Sequence, residues 1–236
     1  MGAYMSRRLL SIGDIHGCSV SLSQLIEAVN PDMNDIVVFL GDYIDRGSKS
    51  KEVIKLLNDL EFKTKCVFIL GNHEEMALAS EEDLEFLAAW LRYGGENTLK
   101  SFDAINEEDD IQWNRLDELK SLIGKCVPIF VFDKFIFSHS PIRHDVDFNL
   151  QDSLDLRWSS QYPNSPHISG KTLVYGHLTL QNNKILVDQT SNSIGLETNI
   201  KNGGVLSCLD LYTGTVWQSN IYGEVKMLNI NPVWLG

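Results

Sequence analysis

Three apolar segments of this chain each stop at a glycine that is followed by a residue able to bind a metal ion. Residues 9–12 lead into Gly13-Asp14, residues 36–40 into Gly41-Asp42, and residues 67–70 into Gly71-Asn72. Short apolar runs bounded by glycine are typical of buried β-strands. The carboxyl ends of parallel strands meet at one edge of a sheet, where open α/β sheets bind ligands. The three segments therefore predict one sheet edge that carries a cluster of polar side chains.

The segments between these strands have helical patterns. Apolar residues recur at helical spacing, and the predicted helices cover residues 19–29, 48–60, 81–102 with a break at Gly94-Gly95, and 116–123. Strands that alternate with helices are typical of a parallel sheet with crossover helices. The first half of the chain is thus predicted to be α/β.

The second half has short strands separated by turn residues. The predicted strands cover residues 127–132, 135–138, 172–175, 185–187, 205–211 and 216–221. Asp133-Lys134 and Thr213-Gly214 are typical hairpin turns. This pattern predicts a mostly antiparallel second sheet that packs on the first. No linker or internal repeat interrupts the 236 residues, so we expect a single domain over 1–236, with residues 1–5 a cloning remnant or a disordered start.

Composition limits the partners that we expect. The formal net charge is −12, and phosphate backbones require clustered lysine and arginine, so nucleic acid is not expected as a partner. No apolar run reaches the length of a membrane span, so no membrane partner is expected either. The four cysteines are scattered without a Cys-x-x-Cys pair, which favours a reduced, cytoplasmic protein.

The polar residues at the predicted strand ends are metal-ligand types. Asp14 and His16 are one residue apart in a tight turn, and the two carboxylate oxygens of Asp42 can bridge two ions. Asn72 adds a neutral amide oxygen, and His139 and His177 each follow an apolar strand. Six nitrogen and oxygen donors without a thiolate suit Mn, Fe or Zn better than Mg, Ca or Cu(I).

Several motifs together resemble those of the phosphoprotein phosphatase family of binuclear metallophosphoesterases. They are Gly13-Asp14-Ile15-His16-Gly17, Gly41-Asp42-Tyr43-Ile44-Asp45-Arg46-Gly47, Gly71-Asn72-His73-Glu74, His139 and Gly176-His177. The chain most resembles compact bacterial and phage serine/threonine phosphatases and the symmetrical diadenosine tetraphosphate hydrolases. The resemblance covers residues 9–211, and three complete motifs in order are far more specific than one.

The resemblance implies a calcineurin-like fold in which two mixed β-sheets pack together between helices. It implies two divalent ions, Mn first and Fe or Zn as alternatives. One ion is held by Asp14, His16 and Asp42, and the other by Asp42, Asn72, His139 and His177. A hydroxide that bridges the ions is expected to attack phosphorus in line.

The resemblance also implies roles for side chains that do not bind metal. His73 is the expected general acid for the leaving group, and Asp45 orients its imidazole. Arg46 and Arg157 are expected to bind the substrate phosphate. Asp45 also has a simpler interpretation as a helix cap.

Three positions depart from the family pattern. Ser140 follows His139 where the family usually has Gly or Ala, Arg157 precedes Trp158 where the family's arginine follows a tryptophan, and Glu197 stands in place of an aspartate. No role is assigned to Glu197.

Two further features have competing interpretations. The segment Trp90-Leu91-Arg92-Tyr93-Gly94-Gly95 is either a rim for substrate or core packing with a helix break. His144 and His167 are interpreted as solvated loop residues.

The function predicted first is a metal-dependent phosphomonoesterase, a serine/threonine protein phosphatase, which acts on a phosphorylated protein or a small phosphate substrate. The alternative is a symmetrical bis(5'-nucleosyl)-tetraphosphatase that splits diadenosine tetraphosphate to ADP. The third possibility is an inert binding scaffold, which the complete set of ligand residues disfavours.

Overall fold

The computed structural model describes residues 7–235 and contains two mixed β-sheets. The first sheet has six strands, in the spatial order β11-β10-β9-β1-β2-β3. They are β1 Leu9–Ile12, β2 Ile36–Phe39, β3 Lys65–Phe68, β9 Val205–Asp210, β10 Thr215–Asn220 and β11 Val225–Asn229. Strands β1, β2 and β3 are parallel, so their carboxyl ends share one edge, as the sequence predicts. Strand β9 pairs antiparallel with the other side of β1.

The second sheet has five strands, in the order β4-β5-β6-β8-β7. They are β4 Ile129–Phe132, β5 Phe135–Ser138, β6 Thr172–Tyr175, β7 Leu186–Asp188 and β8 Ser193–Gly195. Strand β6 pairs parallel with both β5 and β8, while β4 and β7 are antiparallel at the two edges. The carboxyl ends of β5 and β6 therefore point the same way and open onto neighbouring loops.

The helices connect and cover these sheets. They are α1 Ser19–Val29, α2 Ser50–Leu60, α3 Asn72–Ala79, α4 Leu84–Trp90, α5 Glu96–Ser101, α6 Asp117–Ile123 and α7 Ser153–Trp158. A kinked turn, Leu91–Gly95, joins α4 to α5. Short 3₁₀ turns cover Trp113–Leu116, Phe148–Leu150, Gln181–Asn183, Ile200–Asn202 and Val233–Leu235. Within residues 7–235, no helix combines the length and apolar character needed to cross a bilayer.

The core consists of layers, because the central strands are buried on both faces. Leu9 and Val38 face the second sheet, where Phe137 packs against them. Residues of opposite parity, such as Leu10 and Val37, face α1 and α2 in a separate cluster. Continuous apolar runs are the expected sequence of strands that are covered on both sides. The predicted architecture of two mixed sheets flanked by helices is confirmed.

The break that the sequence predicts at Gly94-Gly95 within residues 81–102 is present, because α4 and α5 are joined by a kinked turn in which Gly94 has a φ of 108°. Other details differ from the sequence predictions. Strands β9, β10 and β11 join the first sheet, and the centre of the second sheet is parallel where antiparallel pairing was predicted. His167 is buried and hydrogen-bonds Ser169 and the Val146 carbonyl, so its interpretation as a solvated residue was wrong. The expectation for residues 1–5 falls outside the described residues.

Candidate metal centre

The loops that follow β1, β2, β3, β5 and β6 bring the six predicted ligands together. Asp42 lies at the middle of the group. Its Oδ2 is 3.6 Å from His16 Nε2, and its Oδ1 is 3.3 Å from His139 Nε2. Asn72 Oδ1 lies 3.0 Å from the same His139 nitrogen. One carboxylate therefore faces two sets of donors, the arrangement that a bridging ligand requires.

Two overlapping groups of donor atoms have the spacing of metal sites. The first is His16, Asp42 and His73, and the second is Asp42, His139 and His177; the donor atoms within each group lie within 4.8 Å of one another. Asp14 is in neither of these two groups. Its carboxylate accepts the His177 backbone N–H, at 3.1 Å to Oδ2 and 3.2 Å to Oδ1. It thereby joins the β1 loop to the β6 loop.

Two histidine side chains hydrogen-bond backbone carbonyls through Nδ1, which directs their Nε2 atoms into the centre. His139 Nδ1 lies 2.7 Å from the Leu40 carbonyl, and His16 Nδ1 lies 3.2 Å from the Ile44 carbonyl. With each Nδ1–H donating to its carbonyl, each Nε2 keeps a lone pair that faces Asp42. His16 Nε2 is buried without a hydrogen-bond partner. A buried nitrogen acceptor with no partner is costly unless it binds something.

Burial keeps the imidazoles of His16, His139 and His177 neutral. It lowers the pKa of His16 well below its usual value and also lowers the pKa of His139. Burial and the neighbouring His139 lower the pKa of His177 to about 4. Neutral imidazole is the form that binds a metal ion.

The carboxylates of the centre are also perturbed. Burial and the charge of Asp42 raise the pKa of Asp14 well above its usual value. Burial opposes the charge of Asp42, but attraction to the surrounding histidines in their protonated form, His139 first, outweighs burial and lowers the pKa of Asp42. Two buried carboxylates surrounded by neutral nitrogen donors fit divalent cations, which would offset the negative charge.

The backbone is strained where it presents these ligands. His16, Asp42 and His177 have φ values of 47°, 51° and 58°, in the left-handed region that non-glycine residues rarely adopt. Such strain costs about 1–3 kcal/mol per residue and is concentrated at functional sites.

Glu74 binds the backbone of the loop that follows β2. Its buried carboxylate accepts the backbone N–H groups of Asp42, Tyr43, Ile44 and Gly71 at 2.9, 2.8, 3.4 and 3.2 Å. The bond from Gly71, the N-cap residue, places Glu74 at the start of α3. Sequence reasoning assigned no role to Glu74, although a glutamate three residues after a helix N-cap is a recognisable capping signal.

His73 lies beside the centre and forms a hydrogen-bonded pair with Asp45. Its Nδ1 is 2.6 Å from Asp45 Oδ2, and its Nε2 is 3.8 Å from Asp42 Oδ2. Burial favours the neutral imidazole, but the charges of Asp42 and Asp45 outweigh burial and raise the pKa of His73. His73 thus differs from the other three imidazoles, because it favours the protonated form that can donate a proton.

Two residues that sequence reasoning missed hold the Asp45 carboxylate. Thr98 Oγ1 donates to Oδ1 at 2.6 Å, and Trp90 Nε1 donates to Oδ2 at 2.9 Å and to Oδ1 at 3.1 Å. Trp90 is fully buried, which agrees with the core interpretation of its segment and adds a polar function to it. Nothing in the sequence around Thr98 indicates this contact, because it depends on the packing of α5 against the β2 loop.

The two predicted phosphate-binding arginines are in different environments. Arg46 is exposed, and its guanidinium lies over the Tyr93 ring, 5.6 Å from the centroid. Arg157 is 7% exposed and forms an ion pair with Glu75, which also accepts the Trp158 indole N–H at 2.6 Å.

Glu197 is buried near the Asp14 loop, where Lys201 is its ion-pair partner at 3.8 Å. Its charge adds to the negative potential at Asp14.

Known proteins match this chain in part or over nearly its whole length. Serine/threonine-protein phosphatase 2 of Salmonella typhimurium is 31% identical over 222 residues, 85% of this chain and 91% of that protein. The asymmetrical bis(5'-nucleosyl)-tetraphosphatase of Halalkalibacterium halodurans is 29% identical over 57% of each chain. The symmetrical enzyme of Buchnera aphidicola is 37% identical over 100 residues, and the match spans only 35% of that protein.

Solved structures share the fold. The cold-active protein-tyrosine phosphatase of a psychrophilic Shewanella species has a TM-score of 0.64 and 15% identity, covering 95% of this chain and 81% of that one.

The calcineurin-like phosphoesterase family model matches residues 7–198. The match includes every residue of the candidate centre, from Asp14 to His177. With a family match over most of its length, a nearly full-length relative and the expected double sheet, this chain belongs to the calcineurin-like phosphoesterase family.

Proposed function

We propose that this protein is a metal-dependent phosphomonoesterase that acts on phosphoserine and phosphothreonine residues of proteins. The observation that carries the proposal is the position of Asp42. Its carboxylate lies 3.6 Å from His16, 3.3 Å from His139 and 3.8 Å from His73. One side chain thus adjoins both proposed metal sites and the proposed proton donor.

In this proposal, Asp14, His16 and Asp42 hold one divalent ion, and Asp42, Asn72, His139 and His177 hold the other. Manganese is the proposed metal, with iron and zinc as alternatives, because the donors are nitrogen and oxygen atoms. Bound ions supply Lewis acidity, which neutralises charge on phosphoryl oxygens and lowers the pKa of water.

Residues of the chain itself bind the substrate and deliver a proton. Arg46 donates N–H groups to the phosphoryl oxygens, since a guanidinium fork matches a phosphate. His73 gives its Nε2 proton to the leaving oxygen, and Asp45 holds the imidazole in place. Arg157 is a proposed second phosphate ligand, which would first have to exchange its ion pair with Glu75 for the phosphate.

Protein substrates are proposed first because of the coverage of the comparisons. The serine/threonine phosphatase of Salmonella is matched over 91% of its length, whereas the Buchnera tetraphosphatase is matched over 35%. The chain also has a cavity of about 490 Å³ whose lining includes Trp158 and Tyr162. Pro141, two residues after His139, lines the same cavity. It offers room for residues that flank a phosphorylated side chain.

The second candidate is a symmetrical bis(5'-nucleosyl)-tetraphosphatase that splits diadenosine tetraphosphate into two molecules of ADP. The observation that favours it is the local identity of 37% over 100 residues to the Buchnera protein of that name. The same centre would act on an anhydride in place of an ester. An inert scaffold is disfavoured, because a decayed site would have lost ligand residues and all six proposed ligands are present in the sequence.

A side-by-side turnover assay tests the proposal. Purified protein loaded with Mn²⁺ is assayed on a phosphoserine peptide and on diadenosine tetraphosphate, with chelated protein and an Asp42→Asn variant as controls. A higher kcat/KM for the peptide supports the phosphatase proposal, and a higher value for the dinucleotide with ADP as the only product supports the second candidate. Failure to turn over either substrate would favour the scaffold.

A further inference from the structure

The kinked turn Leu91–Gly95 and the start of α5 contact Arg46 in three ways that the role of Trp90 does not explain. Gly94 packs so closely on the Arg46 backbone that a Cβ at that position would lie 2.7 Å from the Arg46 nitrogen. Asn97 Nδ2 donates to the Arg46 carbonyl at 2.7 Å. The Tyr93 ring lies against the guanidinium, 5.6 Å from the Arg46 Cζ atom to the ring centroid.

These contacts act on a backbone that needs support. Asp45 and Arg46 have consecutive left-handed φ values of 71° and 65°. Non-glycine residues keep such a conformation only when the surrounding structure holds it. Gly94 provides that hold from the turn before α5, and Asn97 provides it from α5 itself.

The guanidinium itself is left available. Among residues 7–235, no carboxylate forms an ion pair with Arg46, whereas Arg157 is paired with Glu75. An aromatic face within about 6 Å attracts a guanidinium without using its N–H donors. The Tyr93 ring therefore fixes the direction of the Arg46 side chain while its N–H groups stay free to bind an anion.

We propose that Tyr93, Gly94 and Asn97 form an Arg46 clamp, which positions the guanidinium for a phosphoryl group before substrate arrives. Tyr93 is the positioning residue for the side chain, and Gly94 and Asn97 position the backbone. The proposal rests on the proposed role of Arg46 as the phosphate ligand. It gives a function to the segment for which the sequence left two interpretations open.

The main competing role for Tyr93 is an effect on His73. The two rings are 6.3 Å apart, nearly perpendicular. A double-mutant cycle separates the two roles, because residues that act through one contact show coupled effects and independent residues show additive ones. Inorganic phosphate is the probe, since its affinity does not depend on which ester is the substrate.

The experiment measures the dissociation constant of inorganic phosphate by calorimetry on Mn²⁺-loaded protein. An exposed cation–π contact predicts that Tyr93→Leu weakens phosphate binding by about two- to fivefold, while Tyr93→Phe restores it. Asn97→Ala should weaken binding in the same direction. Tyr222→Leu is the matched control, because Tyr222 is an exposed tyrosine in the turn between β10 and β11.

The decisive comparison uses an Arg46→Ala background, in which Tyr93→Leu should cause no further loss of phosphate affinity. An equal loss in both backgrounds would overturn the proposal, as would an unchanged affinity of Tyr93→Leu alone. A kinetic readout adds to this test: the clamp predicts a raised KM for p-nitrophenyl phosphate with kcat preserved. Because phosphate affinity is measured directly, failure of the clamp and failure of the phosphomonoesterase proposal give different results.

Discussion

Replacing His73 with asparagine should slow turnover of phosphoserine far more than turnover of p-nitrophenyl phosphate. The His73 imidazole has one carboxylate 2.6 Å from Nδ1 and another 3.8 Å from Nε2, so its proton is held at the centre by two negative charges. A serine alkoxide is a poor leaving group that needs this proton, whereas p-nitrophenolate leaves as the anion. Loss of a general acid typically costs about 10²–10⁴ in rate where the proton is needed.

The assay compares kcat for both substrates at saturating concentration, on protein whose metal content is measured in the same preparation. We expect His73→Asn to lose about 10²–10⁴ in kcat on the phosphoserine peptide and less than about tenfold on p-nitrophenyl phosphate. Asp45→Asn should show the same selectivity with a smaller loss, because the imidazole remains but its orientation weakens. Equal losses of His73→Asn on both substrates, with metal content intact, would refute the assignment of His73 as the acid.

Three other predictions follow from described contacts. Trp90→Phe keeps the buried ring but removes a donor to Asp45, so the free energy of unfolding should fall by about 1.5–3 kcal/mol in chemical denaturation, and an unchanged value would contradict that contribution. Asp42→Asn should abolish the rise in Tm that Mn²⁺ gives the wild-type protein, because binding to the folded state alone stabilises it; a retained rise would argue against Asp42 as a shared ligand. Burial opposes the charge of Asp35, but its hydrogen bonds with Arg8 outweigh burial and lower the pKa of Asp35. The Asp35 charge therefore stabilises the fold fully above its unfolded pKa near 4, and this stabilisation is lost as the pH falls through its lower folded pKa. Urea unfolding of Asp35→Asn should thus depend less on pH below about 4 than that of the wild type.

The sequence could suggest the proposed metal ligands because they lie at or shortly after the ends of apolar strands. Strand ends are local features, and the residue after the strand is fixed at the sheet edge whatever the rest of the chain does. Helix α1 was predicted with the bounds that the structure has, Ser19–Val29, because its apolar spacing is regular and Asn30-Pro31 ends it.

The parts that were not predicted depend on contacts between distant segments. A short apolar strand such as β9 has the same pattern whichever sheet it joins, and its pairing with β1 depends on which faces remain to be buried. The hydrogen bonds that Asp45 accepts also come from distant residues, because Trp90 is 45 positions away and Thr98 is 53 positions away. Arg157 has the residue type expected of a phosphate ligand, but its direction is set by Glu75 on another helix.

The position of β9 has a consequence for the order in which this protein can become functional during synthesis. Strand β1 leaves the ribosome well before β9, its partner on one side, and Leu10 pairs with Asp210. Until β9 emerges, β1 offers an unpaired apolar edge, the kind of surface that promotes aggregation of incomplete chains. His177 also follows Asp14 by 163 residues, so the ligands cannot gather before most of the chain exists. We therefore expect metal to bind only after residue 177 has been made, and a chain interrupted before residue 205, which lacks β9, should be insoluble.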